Sequence, residues 1–385
     1  MVELTSRERV RLALNHEEPD RVPIFFGAEG ATTMLVPAYQ TMQRHLELKE
    51  PNEPAVYSRC CQYARIDEEA MAHFQSDVRP LVGPASSRYA DVEGEGDSFT
   101  DYLGVTWARP VGQLYYAMTA HPLRDARTPQ DILDHPWPSG ADLLDLSGLA
   151  ERSRCLHKSS PYAIVGTHEG ITSVFELSWY MRGFEEFMLD LAAAPEMAHT
   201  LLRCLTDLAK ETTASYLGEV GPYIDIVRVG DDLGTQNSLL LSPRMFRRML
   251  KPYLAEYYSM IHDLTDAALM MHSCGNIYPL LGDLIEIGVE VINPVQVSAP
   301  DMNPEVLKRE FGDQLVFCGG IDTHRVLPYG TPEEVRQEVR LRIRQMAPGG
   351  GYLLGAVHAI QPDVPPENAC AMFEAALEYG SYPIE

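Results

Sequence analysis

The residues best suited to chemistry stand together in Met270, Met271, His272, Ser273, Cys274 and Gly275, at the end of an apolar run that reads as a buried strand. Side chains two apart on a strand project from the same face, so His272 and Cys274 point together. A second cysteine, Cys318, ends the run Leu315, Val316, Phe317 and is followed by Gly319, Gly320, Ile321 and Asp322. An apolar strand near Val291 falls between them. That places Cys274 and Cys318 two strands apart, both facing the mouth of a parallel barrel. One imidazole and two thiolates form a soft nitrogen and sulfur set suited to zinc, and a catalytic zinc keeps one position for water or substrate. Singly, a buried cysteine is a small apolar residue and a strand-end histidine a hydrogen-bonded core group, so the reading rests on the three occurring together. A zinc finger is excluded by the long gap between the cysteines and the lack of a second close pair.

Two more groups belong near that mouth. Gly230, Asp231, Asp232, Leu233 and Gly234 end the preceding strand. Either carboxylate would complete a zinc shell, orient a ligating histidine or hold a substrate proton, and the plain alternative is a cap for the loop before Ser242. Ala356, Val357 and His358 end the final strand. His358 is expected to donate to a leaving group, bind a carboxylate, or pin the loop running from Pro362 to Pro366. Other candidates are weaker. Gly349, Gly350 and Gly351 precede a strand, whereas a phosphate cradle needs a following helix. Cys60 and Cys61 have no histidine set nearby and read as core or surface thiols. His168 and Glu169 read as a loop pair, and Trp107, Tyr115, Tyr116 and Trp179 as core aromatics rather than pocket walls.

The elements that must position these residues alternate between buried strands and capped helices. Strands are predicted within Tyr162–Val165, Ile224–Val229, Ala267–Met271, Val289–Val295, Leu315–Phe317 and Tyr352–Val357. Ser242 before Pro243, and Thr331 with Pro332 and Glu334, are helix starts. Val335, Val339, Ile343 and Met346 make a one-sided stripe that must pack on something. This cadence means parallel βαβ units. Thr5 with Glu8 opens a first helix, and Arg21–Phe26 reads as the first buried strand. From there to Tyr162 the pattern is irregular, with short alternating pieces over Asp101–Trp107 and Gln113–Met118 among glycines. Residues 78–140 are therefore expected to form a small antiparallel insertion at the barrel rim. The whole, residues 1–385, reads as one α/β domain, a single (β/α)8 TIM barrel with an amino-terminal insertion. An open doubly wound sheet is disfavoured by the lack of a strand-linked GxGxxG.

The composition suits such a domain. The 385 residues are 45% hydrophobic and 22% charged, ordinary globular values that exclude disordered, collagenous and coiled-coil classes. With 55 acidic and 31 basic side chains the formal net charge is −24, which repels nucleic acid and anionic membrane. The amino terminus lacks a signal-peptide core and no apolar run reaches membrane-spanning length, so the expected location is cytoplasmic. Seven cysteines, an odd number, argue against a disulfide framework.

The stretches SRERVRLALNHEEPDRVPIFF, VGDDLGTQNSLLLSP, HSCGNIYPLLGDLIEIGVEVINPVQ, FCGGIDTHRVLPYGTPEEVRQEV and PGGGYLLGAVHAIQPDVPPENA together resemble the uroporphyrinogen decarboxylase superfamily. The resemblance implies a single (β/α)8 barrel and one of two activities. The decarboxylases of that superfamily carry an amino-terminal signature similar to M-R-Q-A-G-R, whose arginines hold the substrate's acidic arms. Here the equivalent stretch is Phe25, Phe26, Gly27, Ala28, Glu29, Gly30, without either arginine and with an acid added. Unpaired substrate anions in a barrel mouth are costly. The H-x-C of His272 and Cys274 with the later Cys318 is similar instead to the zinc-dependent, corrinoid-linked methyltransferases, including coenzyme M methylases and the methyltransferase components of aromatic O-demethylases.

That resemblance implies zinc on His272, Cys274 and Cys318, with Asp231 or Asp232 in support and His358 at the mouth. It also implies a methyl group passing between a small methyl ether or thiol and a corrinoid. The chain has no DxHxxG cobalamin-binding sequence, so a separate corrinoid protein is the expected partner. Dimers are common in the superfamily, and a homodimer is expected by analogy. The alternative is a metal-free decarboxylase of tetrapyrrole biosynthesis with Asp231 or Asp232 stabilising a protonated pyrrole.

Overall fold

The structure, a computed structural model, describes residues 4–28, 30–48 and 55–384. Glu29, the acid in the signature region, lies outside them. Seven parallel strands run in chain order across one sheet: β1 (Val78–Gly83), β2 (Ala163–His168), β3 (Ile226–Gly230), β4 (Ala268–His272), β5 (Val291–Asn293), β6 (Val316–Ile321) and β7 (Tyr352–Ala356). Residues 23–26 close it. Phe25 N–H donates to Leu354 O at 2.8 Å and Leu354 N–H to Pro23 O at 2.9 Å, while Asp77 N–H donates to Ile24 O at 2.9 Å. The extended segment expected at Arg21–Phe26 thus lies between the two outer strands, and the eight segments form a TIM barrel.

β2, β6 and β7 are buried along their whole length, as strands covered by helices on one side and filled by side chains on the other must be. Phe25, Val78, Val165, Ile226, Met270, Val291, Val316, Cys318 and Leu353 fill the barrel. A larger layer packs between sheet and helices, including the predicted stripe Val335, Val339, Ile343 and Met346. The expected helix starts are present. Thr331 and Glu334 make a reciprocal capping box, as do Thr5 and Glu8, and Ser242 Oγ accepts from Met245 N–H at 3.2 Å. Gly349, Gly350 and Gly351, with φ of 77°, 75° and 68°, form the tight turn into β7 that only glycine adopts readily.

The first half departs from expectation at one boundary. Val78–Gly83, placed by sequence at the start of an insertion, pairs in parallel with β2 over six residues and is a barrel strand. The arginine and the proline in its run, VRPLVG, hide the apolar pattern that would have marked it. The antiparallel sheet beyond it has four short strands, Val92–Glu93, Ser98–Thr100, Thr106–Ala108 and Ala117–Ala120. It leans on the barrel through Trp107, whose ring stands edge-on to Tyr180 at 5.4 Å. A hairpin of Val56–Ser58 and Tyr63–Ala64 covers another part of the rim. Trp107 and Tyr116 pack with Phe99 inside the sheet, and Trp137, beyond it, donates to Ile132 O at 2.9 Å. Among the described residues no helix is long and apolar enough to cross a membrane.

The amino-terminal end of the barrel is closed by charge. Asp77 and Asp225, each immediately before a strand, are 0% and 6% exposed. Asp77 accepts from Arg9 at 2.7 Å, Arg21 at 2.8 Å and Ile24 N–H at 2.7 Å. Asp225 accepts from Arg11 at 2.7 Å and Ile164 N–H at 2.8 Å, and lies 3.5 Å from Arg7.

Candidate metal centre and active site

His272 ends β4 with its ring inside the barrel mouth. Register fixes its neighbours, since it is level with Gly230 on one side and Asn293 on the other. His272 Nδ1 lies 2.6 Å from Asn293 Oδ1, which gives Nδ1 the proton and leaves Nε2 a lone pair. That Nε2 is 3.4 Å from Cys274 Sγ, so the two side chains predicted to project together do so. His358, two residues past β7, brings its ring to 5.7 Å from that of His272, and its Nε2 lies 3.3 Å from Tyr63 Oη. Donor atoms of His272, Cys274 and His358 all fall within 4.8 Å of one another. This is a nitrogen and sulfur set at the carboxyl ends of strands, where a barrel does its chemistry.

Cys318 stands elsewhere. The strand expected to stop at Phe317 runs on to Ile321, through Gly319 and Gly320 at φ of 97° and 99°. Cys318 is therefore mid-strand and fully buried rather than at the rim. Its Sγ accepts from Asn293 Nδ2 at 3.3 Å. Asn293 is thus held between Cys318 and His272, and the thiol reaches the imidazole through the amide.

The loops behind the triad are laced to it. Asp232, half-buried, accepts from Cys274 N–H at 2.8 Å, and Ser273 Oγ accepts from Leu233 N–H at 3.0 Å. Gly275, at φ 86°, lets the two loops touch, because a Cβ there would lie 2.3 Å from Thr235 O. Asp231 is 1% exposed and accepts from Val174 N–H at 2.9 Å and Glu176 N–H at 2.8 Å, at the start of the helix Phe175–Arg182. Burial pushes its pKa up to about 6 against those donors. It therefore caps a helix, though a different one from the expected loop before Ser242.

Glu176, which the sequence reading did not single out, completes a group of three acids. Burial first, then repulsion from Asp232 and Asp231, raises its pKa to about 8, and Tyr180 donates to its Oε1 at 3.2 Å. It carries a proton near neutral pH. Its only sequence signal is a glutamate in a first helical turn, which is too common to mark a site. Asn293 was more legible, as a polar residue inside the apolar run VINPV at the level of His272.

The comparisons with known proteins bear on the family and the fold. The family model described as Uroporphyrinogen decarboxylase (URO-D) matches residues 127–379. A uroporphyrinogen decarboxylase of Pseudoalteromonas translucida is 36% identical over 74 residues, 19% of this chain and 20% of that one. One of Schizosaccharomyces pombe is 25% identical over 194 residues, 49% of this chain and 50% of that one. The chain thus spans a fifth to a half of the length of these curated relatives. Among solved structures, a methyltransferase from Methanosarcina mazei superposes with a TM-score of 0.67 at 17% identity, covering 98% of this chain and 99% of that one, a likeness of fold. With the family match covering most of a closed barrel and running through every candidate strand end, the chain belongs to the uroporphyrinogen decarboxylase family.

Proposed function

We propose that this chain is a zinc-dependent methyltransferase, moving a methyl group between a small methyl ether or thiol and a corrinoid carried by a separate protein. One observation carries the reading: His272, Cys274 and His358 hold their donor atoms within 4.8 Å at the barrel mouth. Donors around one tetrahedral zinc stand about 3.3–3.8 Å apart, and His272 Nε2 and Cys274 Sγ already meet that spacing at 3.4 Å. The residues fit the metal, with His358 taking the place that Cys318 was expected to fill. Zinc held there would supply Lewis acidity toward a thiol or ether oxygen. The chain's own groups do the rest. Asn293 fixes the tautomer of His272, Asp232 fixes the Cys274 backbone, and Glu176, protonated next to Asp232, is the group that would hand a proton to a leaving oxygen. The fold likeness to the Methanosarcina mazei methyltransferase agrees with this branch of the family.

The metal-free decarboxylase alternative needs an aspartate facing a protonated pyrrole. Both oxygens of Asp231 are taken by backbone N–H groups, and one of Asp232 by Cys274 N–H. Metal analysis of freshly purified protein separates the two readings. The expected result is about one zinc per chain, lost in His272→Ala, Cys274→Ala and His358→Ala and kept in Cys318→Ala. Less than about half an equivalent in the unaltered protein would remove the methyltransferase reading. Thiol-dependent loss of the methylcobalamin absorbance, with the zinc-depleted variants silent, is the matching activity assay.

A further inference from the structure

Two of the three residues at the mouth have a support within the barrel. Asn293 holds the His272 ring, and Asp232 holds the Cys274 backbone. His358 stands two residues past β7, in a loop, where strand register no longer sets its side chain. The groups that set it come from the amino-terminal part of the chain.

Thr33, Met34 and Leu35 run as a short link between two pieces of the rim. On one side Leu35 N–H donates to Ile360 O at 2.9 Å and Ile360 N–H to Thr33 O at 2.9 Å, which pins the loop carrying His358. On the other side Ala64 N–H donates to Met34 O at 2.8 Å, Val36 N–H to Gln62 O at 2.9 Å and Thr33 Oγ1 to Ala64 O at 2.7 Å. The hairpin and the His358 loop are therefore tied to one segment. That fixes Tyr63 opposite His358, with ring centres 5.8 Å apart and Tyr63 Oη 3.3 Å from His358 Nε2. Gly30 makes room for the contact. A Cβ there would stand 2.7 Å from Tyr63 Cδ2, nearer than packed atoms come, and Gly30 has no positive φ that would call for glycine on its own account.

An imidazole that gives one nitrogen to a metal keeps its proton on the other, and an oxygen acceptor for that N–H holds the ring in place. A phenolic oxygen is such an acceptor. We propose that Tyr63 is a positioning residue of the metal centre: it accepts the Nε2 proton of His358 and turns Nδ1 toward the metal, as Asn293 does for His272 with the nitrogens exchanged. The hairpin is then part of the metal site, although none of its residues is a ligand. By linkage, what Tyr63 adds to zinc affinity the bound zinc returns to the order of the hairpin. The assignment rests on the metal reading of the triad.

Tyr63→Phe removes one oxygen and keeps the ring. It is expected to weaken zinc about 10–100-fold in competition with a chromophoric chelator. The visible spectrum of the cobalt(II)-substituted protein, which follows coordination geometry, should change with it. Gly30→Ala displaces the Tyr63 ring without altering a ligand and should have the same two effects. Tyr57→Phe, on the same hairpin but with its hydroxyl at Thr167, should bind zinc as the unaltered protein does. In the metal-free protein, nitrogen-15 NMR of the imidazole, assigned by its loss in His358→Ala, should show a proton on Nε2 whose signal moves in Tyr63→Phe. Zinc should also slow amide exchange at Ala64 in the unaltered protein and fail to do so in Tyr63→Phe. The proposal is overturned if Tyr63→Phe keeps its zinc affinity within about threefold and its cobalt spectrum, well short of the usual loss of such a support. It is equally overturned if Tyr57→Phe loses as much zinc as Tyr63→Phe, or if Nε2 carries no proton. Unaltered protein without zinc would remove the metal reading and this one with it, whereas zinc indifferent to Tyr63→Phe removes this one alone.

Discussion

The two ends of the barrel use the same residue types in opposite ways. At the amino-terminal end every buried carboxylate meets arginine: Asp77 is held by Arg9 and Arg21, and Asp225 by Arg11 and Arg7. At the carboxyl end acid faces acid. Glu176 is pushed up by burial and by Asp232 and Asp231, and Asp231 is itself raised above its ordinary value. The first end is neutralised pair by pair and closes the barrel. The second leaves protons and lone pairs poised at the mouth, a less stable arrangement that persists where chemistry requires it. The contrast separates charges that hold the fold from charges that serve a reaction, and mutation should tell them apart.

The largest effect is expected at the closed end. Asp77→Ala leaves Arg9 with Asp20 alone, takes from Arg21 the carboxylate it meets and orphans Ile24 N–H, and breaking such a buried set costs about 3–5 kcal/mol. Urea denaturation should show that loss, with zinc per folded chain unchanged. A cost below about 1 kcal/mol, the range of exposed pairs, would erase the distinction between the ends.

The sequence makes the second half of the barrel legible because each strand there is a short apolar run followed by a capped helix. Val78–Gly83 was not legible, since its run VRPLVG carries an arginine and a proline and shows neither clean alternation nor a following helix of ordinary length. For the site, the H-x-C spacing is a local fact of strand geometry, so His272 and Cys274 could be paired from sequence. Depth is not local. Whether Cys318 lies at the rim or one layer down depends on where β6 stops, and the positive-φ glycines that prolong it look like a strand end in sequence. The partnership of His358 with His272 and the gathering of Glu176 with Asp231 and Asp232 come from barrel closure, which brings together residues far apart in the chain.

At the mouth the next largest effect is expected from Asn293. Its amide orients His272 and accounts for the buried Cys318, so Asn293→Ala should weaken zinc about 10–100-fold while the barrel stays folded. Competition with a chromophoric chelator measures this directly. Cys318→Ser, which keeps an acceptor for Asn293 Nδ2, should change zinc affinity far less. If Cys318→Ser loses zinc as completely as Cys274→Ala, the thiol is a ligand after all and the triad is wrongly drawn.

The smallest effect separates the ends by the sign of their pH dependence. Burial and its acidic neighbours raise Glu176 from 4.5 to about 8. The folded state therefore keeps this proton after the unfolded state has released it. The associated stability is fully present below about 4.5 and is lost as pH rises through about 8. Glu176→Gln removes that loss. Its melting temperature should match the unaltered protein near pH 4.5 and exceed it near pH 8. Asp20, at the closed end, runs the other way. Burial opposes its charge, but hydrogen bonds and charge from Arg9 prevail and hold its pKa below 3.8. Its stability is present above that value and lost in acid, so Asp20→Asn should be destabilising at pH 8 and close to neutral in effect at the acid limit. Two carboxylates, one at each end, would then give melting curves that diverge with rising pH in opposite directions. Parallel curves would mean that the mouth is as well neutralised as the base, and that Glu176 holds no proton to give.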